Sequence, residues 1–242
     1  VGSEMCIRDS GITSGGDLKL VINGDLDVSG KLQGNSVLNI TANSLNISAT
    51  LQVATIILTG KEKAIISGHV TSDDFTLNGA NENDLIISDT MGNVTVKMPD
   101  NNSNTNIVIN SLSKLFSYQG GLGNDIVKVR VNQITGKMLF ASQGGKDSVA
   151  VDLANAKGKA AIDINSFHDV MVTLGSKNDN YRFDRKMMSV SNDQFEGKVQ
   201  ANKISNYKVI DQGGKNEFIF VDTFAKTTIN SCLLYTSDAA DD

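Results

Sequence analysis

The chain of 242 residues has no tryptophan, a single proline, two cysteines and only 5% aromatic residues. Without tryptophan and with four tyrosines, a sugar-stacking groove is poorly supplied. The cysteines, Cys6 and Cys232, stand at opposite ends, so nothing between them can form a disulfide framework, a thiol nucleophile or a thiolate metal site. No apolar run approaches the roughly 20 residues needed to span a bilayer. No long basic run is present either, which argues against nucleic acid or an anionic membrane as the main partner. The two histidines, His69 and His168, lie far apart in sequence, each beside a strand pattern. They read as solvent-facing or packed residues rather than a metal-ligand pair.

The ends need separate treatment. VGSEMCIRDS (residues 1–10) back-translates to a sequence containing AGATGTGTATAAGAGACAG, and SCLLYTSDAADD (residues 231–242) to its reverse complement. Both resemble the arms of a transposase-type sequencing-library adapter read as coding sequence. That resemblance removes both cysteines from the natural segment, residues 11–230. It also removes most of the formal net charge of −5, since Glu4, Arg8, Asp9, Asp238, Asp241 and Asp242 are in the two arms. A segment cut at both ends is expected to expose unpaired strand edges and to self-associate.

What is abundant is Asn, Ser, Thr, Asp and Gly, arranged with a period. Residues 37–58 contain Leu38-Asn39-Ile40, Leu45-Asn46-Ile47 and Leu51-Gln52-Val53, each the apolar–polar–apolar alternation of a half-buried strand. The pattern recurs in three tracks. One runs Leu18, Leu38, Ile56, Phe75, Val94, a second Leu26, Leu45, Ala64, Leu85, and a third Leu32, Leu51, Val70. A period-2 pattern nested in a period near 19 predicts an all-β chain, a right-handed parallel β-helix (β-solenoid) with about 19 residues per coil. Turn-forming residues such as Asn23-Gly24 and Asn78-Gly79 fall between the strands.

The expected organisation is regular coils over residues 11–98, and over 99–230 an irregular continuation or a second β-domain. The phase loosens after about residue 110. Residues 99–106 (PDNNSNTN) read as a surface loop and 111–118 (SLSKLFSY) as a short helix or an irregular bend. Further strands are expected at 106–109, 126–131, 137–141, 148–153, 160–164, 169–174, 181–183, 207–210 and 217–221, with a long excursion over 184–202.

One local motif suggests chemistry. Gly120-Gly121-Leu122-Gly123-Asn124-Asp125-Ile126-Val127-Lys128 fits G-G-x-G-x-D-x-U-x, the calcium-binding nonapeptide of RTX proteins. It nominates Asp125 as a Ca2+ ligand, with the backbone of Gly121 and Gly123. That chemistry needs tandem copies nine residues apart. Here the related stretches at Gly79–Asp84, Gly144–Asp147 and Gly213–Glu217 are tens of residues away, which favours a Gly/Asp turn leading into a strand. No catalytic constellation stands out. Asp73-Asp74 sits in a turn, and a glycosidase would need two carboxylates placed together in a cleft. The cluster Tyr181-Arg182-Phe183-Asp184-Arg185-Lys186 reads as a solvated loop. The sequons at Asn39, Asn46 and Asn93 are expected from composition alone.

Over residues 18–96 the motifs DLKLVINGDLDVSGKL and VLNITANSLNISATLQV resemble the repeat region of filamentous-haemagglutinin-type adhesins. That resemblance implies a shaft segment of a large adhesin, non-catalytic and extracellular or on the bacterial surface. It implies two partners, an outer-membrane secretion pore and an unidentified ligand on a host cell or another cell. Two other readings stay open, a calcium-stabilised RTX-like β-roll protein or toxin and a β-helix polysaccharide lyase or hydrolase.

Overall fold

The computed structural model describes residues 5–7, 12–88, 90–184, 186–220 and 226–231. Among them no residue is helical and the elements are strands. They form a β-solenoid of about ten turns, in which each coil pairs in parallel with the coil before it.

The first coils contain β1 (Met5–Ile7), β2 (Ile12–Ser14), β3 (Leu18–Val21), β4 (Leu26–Val28), β5 (Lys31–Gly34) and β6 (Val37–Ile47). β7 (Thr50–Gln52), β8 (Thr55–Ile66), β9 (Val70–Asn78), β10 (Glu82–Ile87) and β11 (Met91–Lys97) follow. The first track is the register itself: Leu18 pairs with Leu38, Leu38 with Ile56, Ile56 with Phe75 and Phe75 with Val94. In the third track Leu32 pairs with Leu51 and Leu51 with Val70. The second holds through Leu26, Leu45 and Ala64, but Ala64 then faces Asn83, and Leu85 faces Ile66. Alternation alone misses this, because Asn83 is a polar residue turned inward. Its side chain donates to Ala80 O (2.8 Å) and accepts from Ala80 N (2.7 Å), closing the corner before β10.

From there the coil lengthens. β12 (Ser103–Ile109), β13 (Leu115–Gln119), β14 (Asp125–Val131), β15 (Gln133–Ile134), β16 (Lys137–Ala141), β17 (Ser148–Asp152) and β18 (Lys157–Asn165) continue the same sheets. Val94 pairs with Phe116, Phe116 with Met138, Asn104 with Ile126 and Ile126 with Ser148, each 22 residues apart. The sheet therefore runs unbroken through residue 110, and what reads as lost phase is a change of period. Two expectations are corrected. Residues 103–106 belong to β12, and of the segment 111–118 only the first part bends, at residues 113–114 beside the Leu112–Ile134 bridge, while 115–118 form β13.

A longer coil encloses a wider interior, and larger side chains fill it. Phe75 is the only aromatic residue before residue 110. Beyond it Phe116, Tyr118, Phe140 and Phe167 are all buried, with Phe116 and Phe140 ring centroids 5.5 Å apart. One continuous apolar core results.

Among the described residues the stack is interrupted once. β19 (Asp169–Leu174) stacks on β17, but the chain then leaves the coil as β20 (Asn180–Asp184) and returns antiparallel as β21 (Met187–Ser191). β22 (Phe195–Asn202) is antiparallel to β21 and takes the next place on β18. β23 (Asn206–Asp211) stacks on β19, β24 (Glu217–Phe220) on β20, and β25 (Lys226–Ser231) on β23. One face thus runs β18–β22–β21–β20–β24 while the other runs β19–β23–β25. The first gains two additional strand spacings, about 9–10 Å. Tyr181, Phe183, Met188 and Tyr207 are buried at this wedge. Tyr181 and Phe183 are therefore core residues of a strand, not a solvated loop, while Arg182 between them is exposed. Val221, the last residue of the expected 217–221 strand, lies outside the described residues.

Candidate functional site: the glycine–aspartate corner

The nonapeptide forms the corner between β13 and β14. Of the related stretches far away in sequence, Gly79–Asp84 and Gly144–Asp147 stand in the same stack of corners, while Gly213–Glu217 belongs to another. Asn102, Asn124 and Lys146 stand above one another, as do Ser103, Asp125 and Asp147. The Asn102 side chain accepts Asn124 N at 2.9 Å, and the Asn124 side chain accepts Lys146 N at 2.7 Å. An asparagine ladder so supplies the main-chain N–H groups that the corner leaves unpaired.

Asp125 is fully buried. Its Oδ1 accepts the Ser103 hydroxyl at 2.5 Å and its Oδ2 accepts Gly121 N at 2.9 Å. The next carboxylate repeats the arrangement: Asp147 Oδ1 accepts Asp125 N at 2.6 Å, and Oδ2 accepts the Ser142 hydroxyl. Burial raises the Asp125 pKa above the ordinary carboxylate value, opposed by the Ser103 and Gly121 hydrogen bonds and reinforced by Asp147. The buried Tyr118 hydroxyl beside it is also raised, by burial first and then by Asp125.

The glycines have a steric reason. A Cβ on Gly121 would stand 1.8 Å from Pro99 O, and one on Gly123 would be 2.4 Å from Asn101 C. Each lies against the main chain of the preceding corner, so glycine is needed for stacking whether or not an ion is bound. As a cation cradle, the corner offers two carboxylates whose oxygens already receive N–H or O–H donors. An ion at Asp125 would have to displace them. Among the described residues no group of three or more His, Cys, Asp or Glu side chains is placed to hold a metal.

A second acidic corner contains the related stretch Gly213–Glu217; its partner segment, residues 175–179, does not stand out in the sequence. Gly175-Ser176-Lys177-Asn178-Asp179 leads into β20 and faces Gly213-Gly214-Lys215-Asn216. Asn178 accepts Lys215 N and Asn216 accepts Asp179 N, both at 2.8 Å. Tyr181 Oη lies 3.2 Å from Asp179 and 3.3 Å from Asp211, both buried. One phenol hydrogen can serve only one of the two carboxylates; burial raises the Asp179 pKa, opposed by the hydrogen bonds from Asn192 and Tyr181. The signal was present in the Lys-Asn or Asn-Asp pair after each glycine, but the 37-residue coil hid its spacing.

The remaining candidates stay apart. His69 is exposed, and His168 Nδ1 is 3.0 Å from Asp169 Oδ2. Asp73 and Asp74 are exposed, and Asp74 accepts the Asn93 amide at 3.0 Å. That bond is one of a series along the outer faces: Asn46 to Asp27 at 3.4 Å, Asn106 to Asp84 at 2.9 Å, and Asn206 to Asp169 at 2.7 Å. The Asn206 amide, followed by His168, holds the Asp169 pKa below its ordinary value. These carboxylates tie coil to coil. No protein-family model, curated protein or solved structure matches the chain.

Proposed function

We propose that the chain is a structural shaft, a non-catalytic segment of a large secreted or surface-exposed bacterial adhesin. The observation that carries this reading is the single core running through stacked coils, with polar side chains on the outer faces joined across coils. Such a design spends its side chains on extension and stacking. The likeness of residues 18–96 to filamentous-haemagglutinin repeats supports the surface location and export through an outer-membrane pore.

The test is surface labelling. Antibodies raised against this chain should label intact cells of the bacterium that encodes it. Labelling only after permeabilisation would overturn the reading. Calcium provides a separate check on the RTX alternative: millimolar Ca2+ should leave the melting temperature unchanged, whereas a rise abolished by Asp125→Ala would establish a metal-stabilised β-roll.

A further inference from the structure

A regular solenoid would stack another turn on residues 153–157, and the inserted hairpin removes it. The chain leaves the coil at Gly175, whose position lies against the main chain of Ala154, and rejoins it through Asn192–Gln194 into β22. A Lys177–Asp193 contact at 3.4 Å spans the two limbs of the neck. Below it remains a cleft of about 420 Å³, within the ~300–1,000 Å³ range of small-ligand sites.

Its lining is of two kinds. Leu153, Ala156 and Leu174 give an aliphatic floor and are themselves buried. Around them stand side-chain amides. Asn192 is occupied in holding the neck, accepting Gln194 N and Phe195 N at 2.8 Å and donating to Asp179 at 2.7 Å. The amides of Gln133, Asn155 and Gln194 make no hydrogen bond among the described residues, and all three are exposed. The nearby main chain is already used: Lys157 N donates to Asn132 O and Gly158 N to Gln194 O, each at 2.9 Å. These main-chain groups are closed to a ligand, and the unengaged amide side chains are the polar groups the cleft offers. Lys157 stands at the rim without an ion-pair partner among the described residues.

We propose that this cleft binds a saccharide bearing a carboxylate. A sugar ring presents C–H surface on its face and hydroxyls, each both donor and acceptor, around its edge. An aliphatic floor fits the first and primary amides, which donate and accept together, fit the second. Lys157 supplies the charge that selects an acidic sugar. The proposal goes beyond the shaft reading, which requires no ligand, and labelling of intact cells tests that reading separately.

The experiment is calorimetric titration of the whole chain with trigalacturonate, and with maltotriose as a neutral trisaccharide. Trigalacturonate should bind and maltotriose should bind at least about tenfold more weakly. Lys157→Gln should bring the acidic sugar down to the neutral level. Asn155→Ala combined with Gln194→Ala should abolish binding of both, with melting unchanged because both side chains are exposed. Absence of trigalacturonate binding at millimolar concentration, equal affinity for the two sugars, or unaltered binding by Lys157→Gln would each overturn the assignment.

Discussion

At the scale of single residues, glycine and aspartate at the corners are explained by stacking. Gly121→Ala would drive a methyl group into Pro99 O, a main-chain atom that can yield only by moving the preceding corner. Its expected cost is about 1–3 kcal/mol. Gly15→Ala, with nothing within 4 Å of the added carbon, is the neutral control in the same urea melts. For Asp125 the sign of the pH effect follows from the direction of its shift. Its folded pKa is raised, so the favourable contribution is complete below the unfolded value and is lost as pH rises through the folded pKa. Asp179 acts in the same sense, and Asp169, whose pKa is lowered, in the opposite one. Asp125→Asn keeps an acceptor for Gly121 N and can donate to Ser103, so it should flatten the loss of stability as pH rises above the ordinary carboxylate value. Asp125→Ala leaves those donors unpaired and should cost about 1–3 kcal/mol at any pH. A pH profile of Asp125→Asn that parallels the wild type would refute this account.

At the scale of elements, coil length and side-chain size are matched. The 18–20-residue coils are filled mainly by Leu, Ile and Val, with Phe75 their one buried aromatic residue, whereas the 22-residue coils add several Phe and Tyr. Phe140→Ala is expected to lose about 3–5 kcal/mol as a cavity opens beside Phe116 and Tyr118. Leu58→Phe should lose about 1–3 kcal/mol because the shorter coil has no room for the ring. Denaturant midpoints decide both, and a harmless Leu58→Phe would disconnect coil length from core size. The same match shows what the sequence could reveal. The 19-residue tracks are legible because Leu, Ile and Val at fixed positions carry both alternation and period. Past residue 98 the inward positions include Ser103, Thr105 and Asp125, polar residues satisfied within the corner, so a hydrophobic track breaks where the structure does not. The nonapeptide was visible, but its meaning lay in neighbours 22 residues away. The cleft was invisible, since it exists only where the hairpin displaces a turn.

At the scale of the whole molecule, each coil meets only the coils on either side of it. Stability in such an array is the sum of coil terms and nearest-neighbour interfaces, so damage should stay local. Gly121→Ala sits where β13 passes to β14 and leans on the corner before β12. Hydrogen exchange in that variant should accelerate in β12, β14 and β17, which are directly stacked. Amides of β6 and β8, several coils away, should keep their protection. The reason is topological: no strand of those coils pairs with β12, β14 or β17, and a disturbance at the corner can reach them only through intervening strands, β10 on one side and β11 and β9 on the other. A compact domain with contacts across its whole core would instead lose protection everywhere at once. Uniform acceleration in β6 and β8 would therefore mean that the coils unfold as one unit, and would contradict a shaft built by addition.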